Sequence, residues 1–299
     1  MDNFVIIEVG STNTKAYWCH DEIVENIAFK TIEFKNHYKK MQKLDELDKE
    51  ELYKFIKNIE NKNIFVFGTS IFRNLDEESK NSWLDEFKTN TGLDFRIVSS
   101  DEENEYTVYG AISKVNYDGD VAVMIGGGGS TELAITNNGN IIKTVNSTFG
   151  AMDITDKYPD LKEDYAVSNY DKMIEETKAL VKDPQENADV LILAGGDYIY
   201  FYEELNYPVM ANNLWEDPLE PYMLDIKTMD ELDKNFFYEV SLEEVCKKTN
   251  NDAWWRGARG MRICVKALVD ILKAKYIIPT RISMVYGIKE AIISGKIAK

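Results

Sequence analysis

The sequence predicts an α/β protein built from two similarly folded halves, and three observations predict it. Apolar runs of strand length alternate with amphipathic helical patterns along the chain. A turn of small polar residues follows the first strand, and a glycine-rich turn, Gly126-Gly127-Gly128-Gly129-Ser130-Thr131, follows a strand in the middle. Laid on the N-terminus at a constant offset of 116, the middle stretch repeats it: Glu8 falls on Met124, Gly10 on Gly126, Thr14 on Ser130 and Tyr17 on Leu133.

In chain order, Phe4-Val5-Ile6-Ile7 reads as a buried strand, and residues 8–14, with one glycine and several small polar side chains, as a turn. Residues 15–20 return as a strand, and a third strand spans 22–34 with an irregular end. Leu47, Leu52, Phe55, Ile56 and Ile59 give 44–61 the apolar stripe of a helix with a charged outer face. A buried strand over 63–68 leads through Thr69-Ser70-Ile71-Phe72-Arg73-Asn74 into a helix over 76–90, and a strand over 95–99 follows. Ser100 ahead of a carboxylate-rich first turn opens a helix reaching about residue 114.

The second half begins with a strand over 121–125, the glycine stretch and a returning strand, and Asn137-Asn138-Gly139 turns into a third. Residues 147–152 read as a loop and 164–181 as helices, and the strand over 190–197 ends in Gly195-Gly196. The aromatic-rich segment 198–233 shows no assignable period. Helices over 242–249 and 254–273, a strand over 276–279 and a helix over 285–297 complete the chain. With no low-complexity linker, the expected domains are 1–118 and 119–299, the helix from about 285 to 299 being placed to pack on the first.

Composition bounds the function. At 299 residues and 44% hydrophobic, the chain can bury a sizeable core. No apolar run approaches the about 18–20 residues that span a bilayer, so no membrane partner is expected. Met1-Asp2-Asn3-Phe4 carries no basic segment ahead of an apolar one, so no signal peptide is expected. Cys19, Cys246 and Cys264 are scattered and lack metal spacing, which suits a reducing cytoplasm. A formal charge of -17 argues against nucleic-acid binding. An anionic ligand then requires a divalent cation or a local basic patch. His20 and His37 lie near no motif and read as surface histidines. Arg256, Arg259 and Arg262 recur at three-residue spacing on a helix, either as a solvated face above packed tryptophans or as a docking surface for a polyanion.

Glycines let a backbone turn tightly and aim several amide N–H groups into one concavity, which suits phosphate oxygens. Two such turns facing one another would clamp a phosphate chain and a bridging metal. Six segments in order carry a resemblance: Gly10-Ser11-Thr12-Asn13-Thr14, Thr69 to Asn74, Ser99-Ser100-Asp101-Glu102-Glu103-Asn104-Glu105, Gly126 to Leu133, Ala194-Gly195-Gly196 and Tyr286-Gly287-Ile288-Lys289-Glu290. Together they resemble the exopolyphosphatase and guanosine pentaphosphate phosphohydrolase family, in its short two-domain form, within the actin-like ATPase, sugar kinase and heat-shock-70 superfamily. The resemblance implies two duplicated actin-like (ribonuclease H-like) domains with a cleft between them. It implies a cytoplasmic hydrolase that releases terminal phosphate from polyphosphate or guanosine pentaphosphate with Mg2+ or Mn2+, and it leaves room for a homodimer.

Residue by residue, the resemblance makes Glu103 or its neighbour Glu102 the water-orienting carboxylate. It makes Arg73 the phosphate-binding guanidinium. Ser11, Asn13 and Thr14 match the first phosphate loop; Gly127, Gly128, Ser130 and Thr131 match the second. Glu8 and Glu132 match carboxylates near the metal. The family's pattern has aspartate where the second loop begins. Here Met124 takes that place by the offset, or Ile125 if the loops are matched from their other end, and neither offers oxygen to a hard cation. Lys289 stands where the family has arginine. Two other readings follow: a sensor that binds polyphosphate or a nucleotide without turnover, and a kinase-like transferase with part of an adenosine pocket at Gly195-Gly196.

Overall fold

The structure, a computed structural model, describes residues 3–297 except 22, 61, 62, 197 and 218–221, and leaves the side chains of Ser70 and Ala253 undescribed. Glu22, Asn61 and Asp197, expected at element ends, therefore lie outside the described residues, as do positions 298 and 299 of the last expected domain. The chain folds as two compact units: residues up to Gly110 joined by those from Met284 onward, and Ala111–Ser283.

In the first unit, β1 (Asn3–Val9), β2 (Asn13–His20) and β3 (Ile23–Thr31) form an antiparallel meander. The chain leaves the sheet where the backbone amides of Ile32 and Lys35 bond the carbonyls of Thr12 and Ser11, each over 2.9 Å. Phe34 therefore opens a helix, α1 (Phe34–Met41), rather than ending the third strand as expected. α2 (Glu46–Lys57) is capped by Asp45, whose side chain accepts from Leu47 N. After β4 (Ile64–Gly68) and a 3-10 turn (Ser70–Asn74) comes α3 (Glu77–Thr91), capped by Asp76 and stopped by Gly92 at φ 74. β5 (Phe95–Ile97) and α4 (Ser100–Ile112) follow. The sheet order is β3-β2-β1-β4-β5, with β1, β4 and β5 parallel. Side chains alternate across β1. Val5, Ile7 and Val9 join Trp83 and Phe87 of α3 in one core, and Phe4 and Ile6 face the other way.

The second unit repeats the plan. β6 (Asp120–Gly126), β7 (Thr131–Asn137) and β8 (Asn140–Ser147) form the meander. α5 (Ala151–Lys157) starts inside the segment expected as a loop, because Asp153 accepts the amide of Gly150 over 2.9 Å and so closes the first turn. A 3-10 turn (Pro159–Lys162), α6 (Tyr170–Lys178) and β9 (Val190–Ala194) follow. The segment without a readable period forms α7 (Ile199–Leu205), β10 (Leu224–Asp225) and α8 (Ile226–Tyr238). α9 (Leu242–Thr249), α10 (Asp252–Leu272) and β11 (Tyr276–Pro279) complete the unit. The sheet order is β10-β11-β9-β6-β7-β8, so β8-β7-β6-β9-β11 reproduces β3-β2-β1-β4-β5. The fold is the expected α/β architecture of two similarly folded domains.

The register corrects the offset. Val9 pairs with Thr14 in the first hairpin, Gly126 with Thr131 in the second. Gly10 N bonds Asn13 O and Gly127 N bonds Ser130 O, both over 2.9 Å. The two hairpins therefore match at 117, not 116, since 9 + 117 = 126 and 14 + 117 = 131. Glu8 corresponds to Ile125, and Met124 corresponds to Ile7; both Met124 and Ile7 lie in their cores at 0% exposure.

Arg259 and Arg262 of α10 are buried, so the three arginines do not form the solvated or docking face the spacing suggested; Arg256 alone is part-exposed. Arg259 is wholly buried, and its guanidinium donates to the carbonyls of Phe236, Glu163, Asp164 and Val240. Arg262 is buried against Asp233, Nε to Oδ1 over 2.6 Å, and lies over the Phe201 ring. Arg256 donates to Asp252 and to Lys162 O. Carbonyls at the ends of α8 and of the second 3-10 turn recruit Arg259 inward, and the Asp233 carboxylate recruits Arg262.

From β11 the chain returns to the first unit as α11 (Met284–Ile293). Its Met284, Val285, Ile288 and Ile292 cover Phe4, Ile6, Phe65 and Phe67. A Cβ on Gly287 would come within 2.0 Å of Tyr106 O, so glycine is what lets α11 lie against α4.

Candidate phosphate-binding site

In the first unit, the turn between β1 and β2 exposes Thr12 and Asn13, with Ser11 half-buried. Asn13 Oδ1 accepts from Thr31 Oγ1 over 3.3 Å, which ties the turn to β3. Thr14, expected at the loop surface, is fully buried, and its hydroxyl has no hydrogen-bond partner among the described residues.

Glu8 is the last residue but one of β1, beside this turn. Burial pushes its pKa up and the nearby charge of Glu103 adds to that, while Lys15 and a hydrogen bond from Tyr17 oppose it. Lys15 is the cross-strand partner of Glu8, and Tyr17 Oη donates to Glu8 Oε2 over 3.4 Å. Burial and the Glu8 carboxylate raise the Tyr17 phenol, which holds it in the donor form. Neither Lys15 nor Tyr17 was picked out from the sequence. Their two-residue spacing on a strand, opposite Glu8, is the signal that places them on its face.

Arg73 sits on the 3-10 turn after β4. Its Nη2 donates to Glu103 Oε2 and its Nη1 to Ser100 Oγ, each over 2.6 Å. Glu102 points elsewhere. It accepts from Ser99 N over 2.9 Å while Ser99 Oγ accepts from Glu102 N over 3.1 Å, a reciprocal cap, and it also accepts from Arg96 over 2.7 Å. Burial works against the Glu102 carboxylate, but the Ser99 amide and Arg96 outweigh it and hold its pKa below the usual range. The structure thus brings Glu8, Arg73 and Glu103 into one neighbourhood and gives Glu102 a structural task.

In the second unit, Gly128 and Gly129 are exposed and Ser130 is half-buried. The carbonyls of Gly127 and Gly128 accept from Ala151 N and Met152 N over 3.2 and 2.7 Å, so the loop rests on the start of α5. A Cβ on Gly150 would lie 2.5 Å from Gly127 O, so this contact requires glycine there. Thr131 is buried and donates to Phe149 O over 2.9 Å, so its hydroxyl, like that of Thr14, is not at the loop surface. Glu132 is half-buried opposite Ile125, and its carboxylate makes no hydrogen bond or ion pair among the described residues.

Among the described residues, one set of metal-capable groups comes within ligand reach: His37, Asp45 and Asp48. His37 is at the surface, as expected, but paired. Its Nδ1 meets Asp48 Oδ2 at 2.8 Å, and Asp45 caps α2. His20 is half-buried and stacks on Trp18, ring centroids 4.0 Å apart. Glu8 suits a hard divalent cation, being a half-buried carboxylate whose charge burial disfavours; a cation would relieve that cost. Ile125 at the corresponding place of the second hairpin offers no oxygen.

Comparisons with known proteins agree with this architecture. A model of the Ppx/GppA phosphatase family matches residues 41–210. A Ppx/GppA phosphatase of Aquifex aeolicus, in the crystal structure of its type II variant, is similar at 17% identity and a TM-score of 0.74, with 99% of this chain and 100% of that one covered. An exopolyphosphatase of Cytophaga hutchinsonii is similar at 14% identity and a TM-score of 0.67, with 98% of each chain covered. Comparison with curated proteins gives no match. The family match spans more than half of the sequence, with the hairpin turns and the arginine–carboxylate pair in place beside it: the chain belongs to the Ppx/GppA phosphatase family.

Proposed function

We propose that the protein is a cytoplasmic, metal-dependent phosphohydrolase that releases terminal phosphate from inorganic polyphosphate or guanosine pentaphosphate. The pairing of Arg73 with Glu103 carries the reading. A guanidinium that gives two hydrogen bonds to oxygen acceptors can give the same two to a terminal phosphate. As it does so, Glu103 is released to accept a hydrogen bond from water. That water attacks phosphorus, the anhydride P–O bond breaks, and the bridging oxygen leaves with the remaining chain. Glu103 is the base that takes the water proton, whereas Glu102 caps α4.

Ser11, Asn13 and the backbone amides of the first turn bind phosphate oxygens, and Gly127, Gly128 and Ser130 do so in the second. Glu8 in the first unit and Glu132 in the second are each a carboxylate that would suit Mg2+ or Mn2+, and a bound cation supplies charge neutralisation for the phosphoryl group. Tyr17 orients the Glu8 carboxylate. Thr14 and Thr131, being buried, shape their turns instead of touching substrate.

A specific observation favours a second reading. Ile125 stands where the first hairpin has Glu8, so a sensor that binds the anion without turnover fits as well. Phosphate release from polyphosphates of several lengths and from guanosine pentaphosphate, with and without Mg2+ and Mn2+, separates the two. Metal-dependent release supports the hydrolase; tight calorimetric binding with no release under any metal overturns it.

A further inference from the structure

Helix α1 is a basic patch on a strongly acidic protein. Between Glu33 and Asp45 the chain holds Lys35, Lys39, Lys40 and Lys43 and no carboxylate. All four lysines are exposed, whereas Phe34 is buried and His37 and Tyr38 are half-buried on the opposite stripe. None of the four makes an ion pair or a side-chain hydrogen bond among the described residues. That is unusual in a chain of net charge -17, where carboxylates outnumber cations 52 to 35. Lysines in the last turn of a helix meet the negative end of its dipole, which accounts for Lys39 and Lys40. It does not account for Lys35, which sits in the first turn, against the dipole, with no acidic residue there.

The patch is fixed beside the candidate phosphate site at two points. Lys35 N bonds Ser11 O over 2.9 Å, so the helix starts at the first turn. Tyr38 Oη donates to Asn74 O over 3.4 Å, so its middle rests on the 3-10 turn that carries Arg73. The lysine-bearing segment is thereby tied to the turn of Ser11 and to the 3-10 turn of Arg73.

We propose that α1 is the docking surface for the distal phosphates of a linear polyphosphate chain whose terminal phosphate lies at Arg73. The inference rests on the phosphohydrolase reading and narrows its substrate. A guanosine pentaphosphate has no long run of charges to spend on four lysines, whereas inorganic polyphosphate presents one at every unit.

The test is the triple variant Lys39→Gln/Lys40→Gln/Lys43→Gln of the full chain, with Lys80→Gln/Lys88→Gln as a control on α3. Binding is measured by calorimetry with long-chain polyphosphate and with tripolyphosphate over a series of salt concentrations, and phosphate release is followed in parallel. The triple variant is expected to weaken binding of the long chain about tenfold and to lower the salt slope by roughly 2, at about 0.7 per lost contact on a single-stranded polyanion. Tripolyphosphate affinity changes far less, and the control tracks the wild type. An equal loss for both lengths, or no loss for the long chain, overturns the inference. Equal affinity for single-stranded RNA of the same charge also overturns it, since the patch would then be a nonspecific anion surface. If the wild type binds the long chain with this length dependence but releases no phosphate from it, the docking surface stands and polyphosphate hydrolysis fails. If it binds no polyphosphate at all, the docking surface fails, and release from guanosine pentaphosphate decides the hydrolase reading on its own.

Discussion

Arg73 and Glu103 hold one another, Nη2 to Oε2 over 2.6 Å, with Ser100 taking the other arm of the same guanidinium. In the proposed reaction, each of the two is occupied by the other until a phosphate competes for the arginine. Two substitutions separate the neighbours on α4. Glu103→Ala is expected to lower kcat for phosphate release by about 10²–10⁴-fold. Glu102→Ala is expected to keep most activity and to lose about 1 kcal/mol of stability through the broken cap, read as a lower urea midpoint. Full activity in Glu103→Ala rejects the assignment.

Ile125 is the place to add what the second hairpin lacks. Ile125→Asp puts a carboxylate opposite Glu132 at the counterpart of Glu8. Titration calorimetry with Mn2+ should show tighter cation binding than in the wild type, by about tenfold, since oxygen donors are what a hard cation recruits. Met124→Asp should instead cost stability without any such gain, because that side chain lies in the core at 0% exposure.

Glu8 links stability to pH. Burial raises its folded pKa above the unfolded value, so its contribution favours folding at low pH and is lost as pH rises through the folded pKa. Glu8→Gln should therefore melt higher than the wild type at neutral pH, with the gap closing below about pH 4.3, the ordinary glutamate value. The same variant should lose cation binding. A melting gap that does not depend on pH contradicts the linkage.

His37 titrates in the opposite setting. The hydrogen bond and charge of Asp48 raise its pKa, Asp45 adds to them, and burial and Lys40 oppose. Its stabilising effect is complete below about pH 6.5 and fades as pH rises through the raised value. Chemical shifts of the His37 ring should report a midpoint above that of a model histidine, and Asp48→Asn should bring it back.

The buried pair in the second unit is a stability element. Asp233→Ala strands Arg262 among aromatic rings and should cost about 3–5 kcal/mol in urea unfolding. Arg256→Gln, on the same helix but half-buried, should leave polyphosphate affinity unchanged.

Strand and helix existence was legible because burial imposes a period of two or of 3.6, and the duplication was legible because both hairpins spend their loop on small residues. The correspondence was misjudged by one residue because glycines on both sides of Gly127 make the alignment degenerate, and hydrogen-bond register is what resolves it. Segment 198–233 was opaque because α7 is short and buries neighbouring residues on several sides, Ile199, Phe201 and Tyr202, with Tyr198 and Tyr207 at its two ends also in the core, which erases amphipathic contrast. Arg259 and Arg262 misled because charge at helical spacing usually signals solvent, and nothing local to α10 reveals the carbonyls that draw Arg259 inward or the Asp233 carboxylate that draws Arg262. Lys15 and Tyr17 needed only the strand parity around Glu8.

Met284, Val285, Ile288 and Ile292 seal the sheet face made by Phe4, Ile6, Phe65 and Phe67, although more than two hundred residues of chain separate them. On the ribosome, the first unit to emerge is the last to be finished. Its apolar sheet face waits uncovered while the whole second unit is translated, which makes the nascent chain a client for chaperones and makes any stop after α10 a route to aggregation.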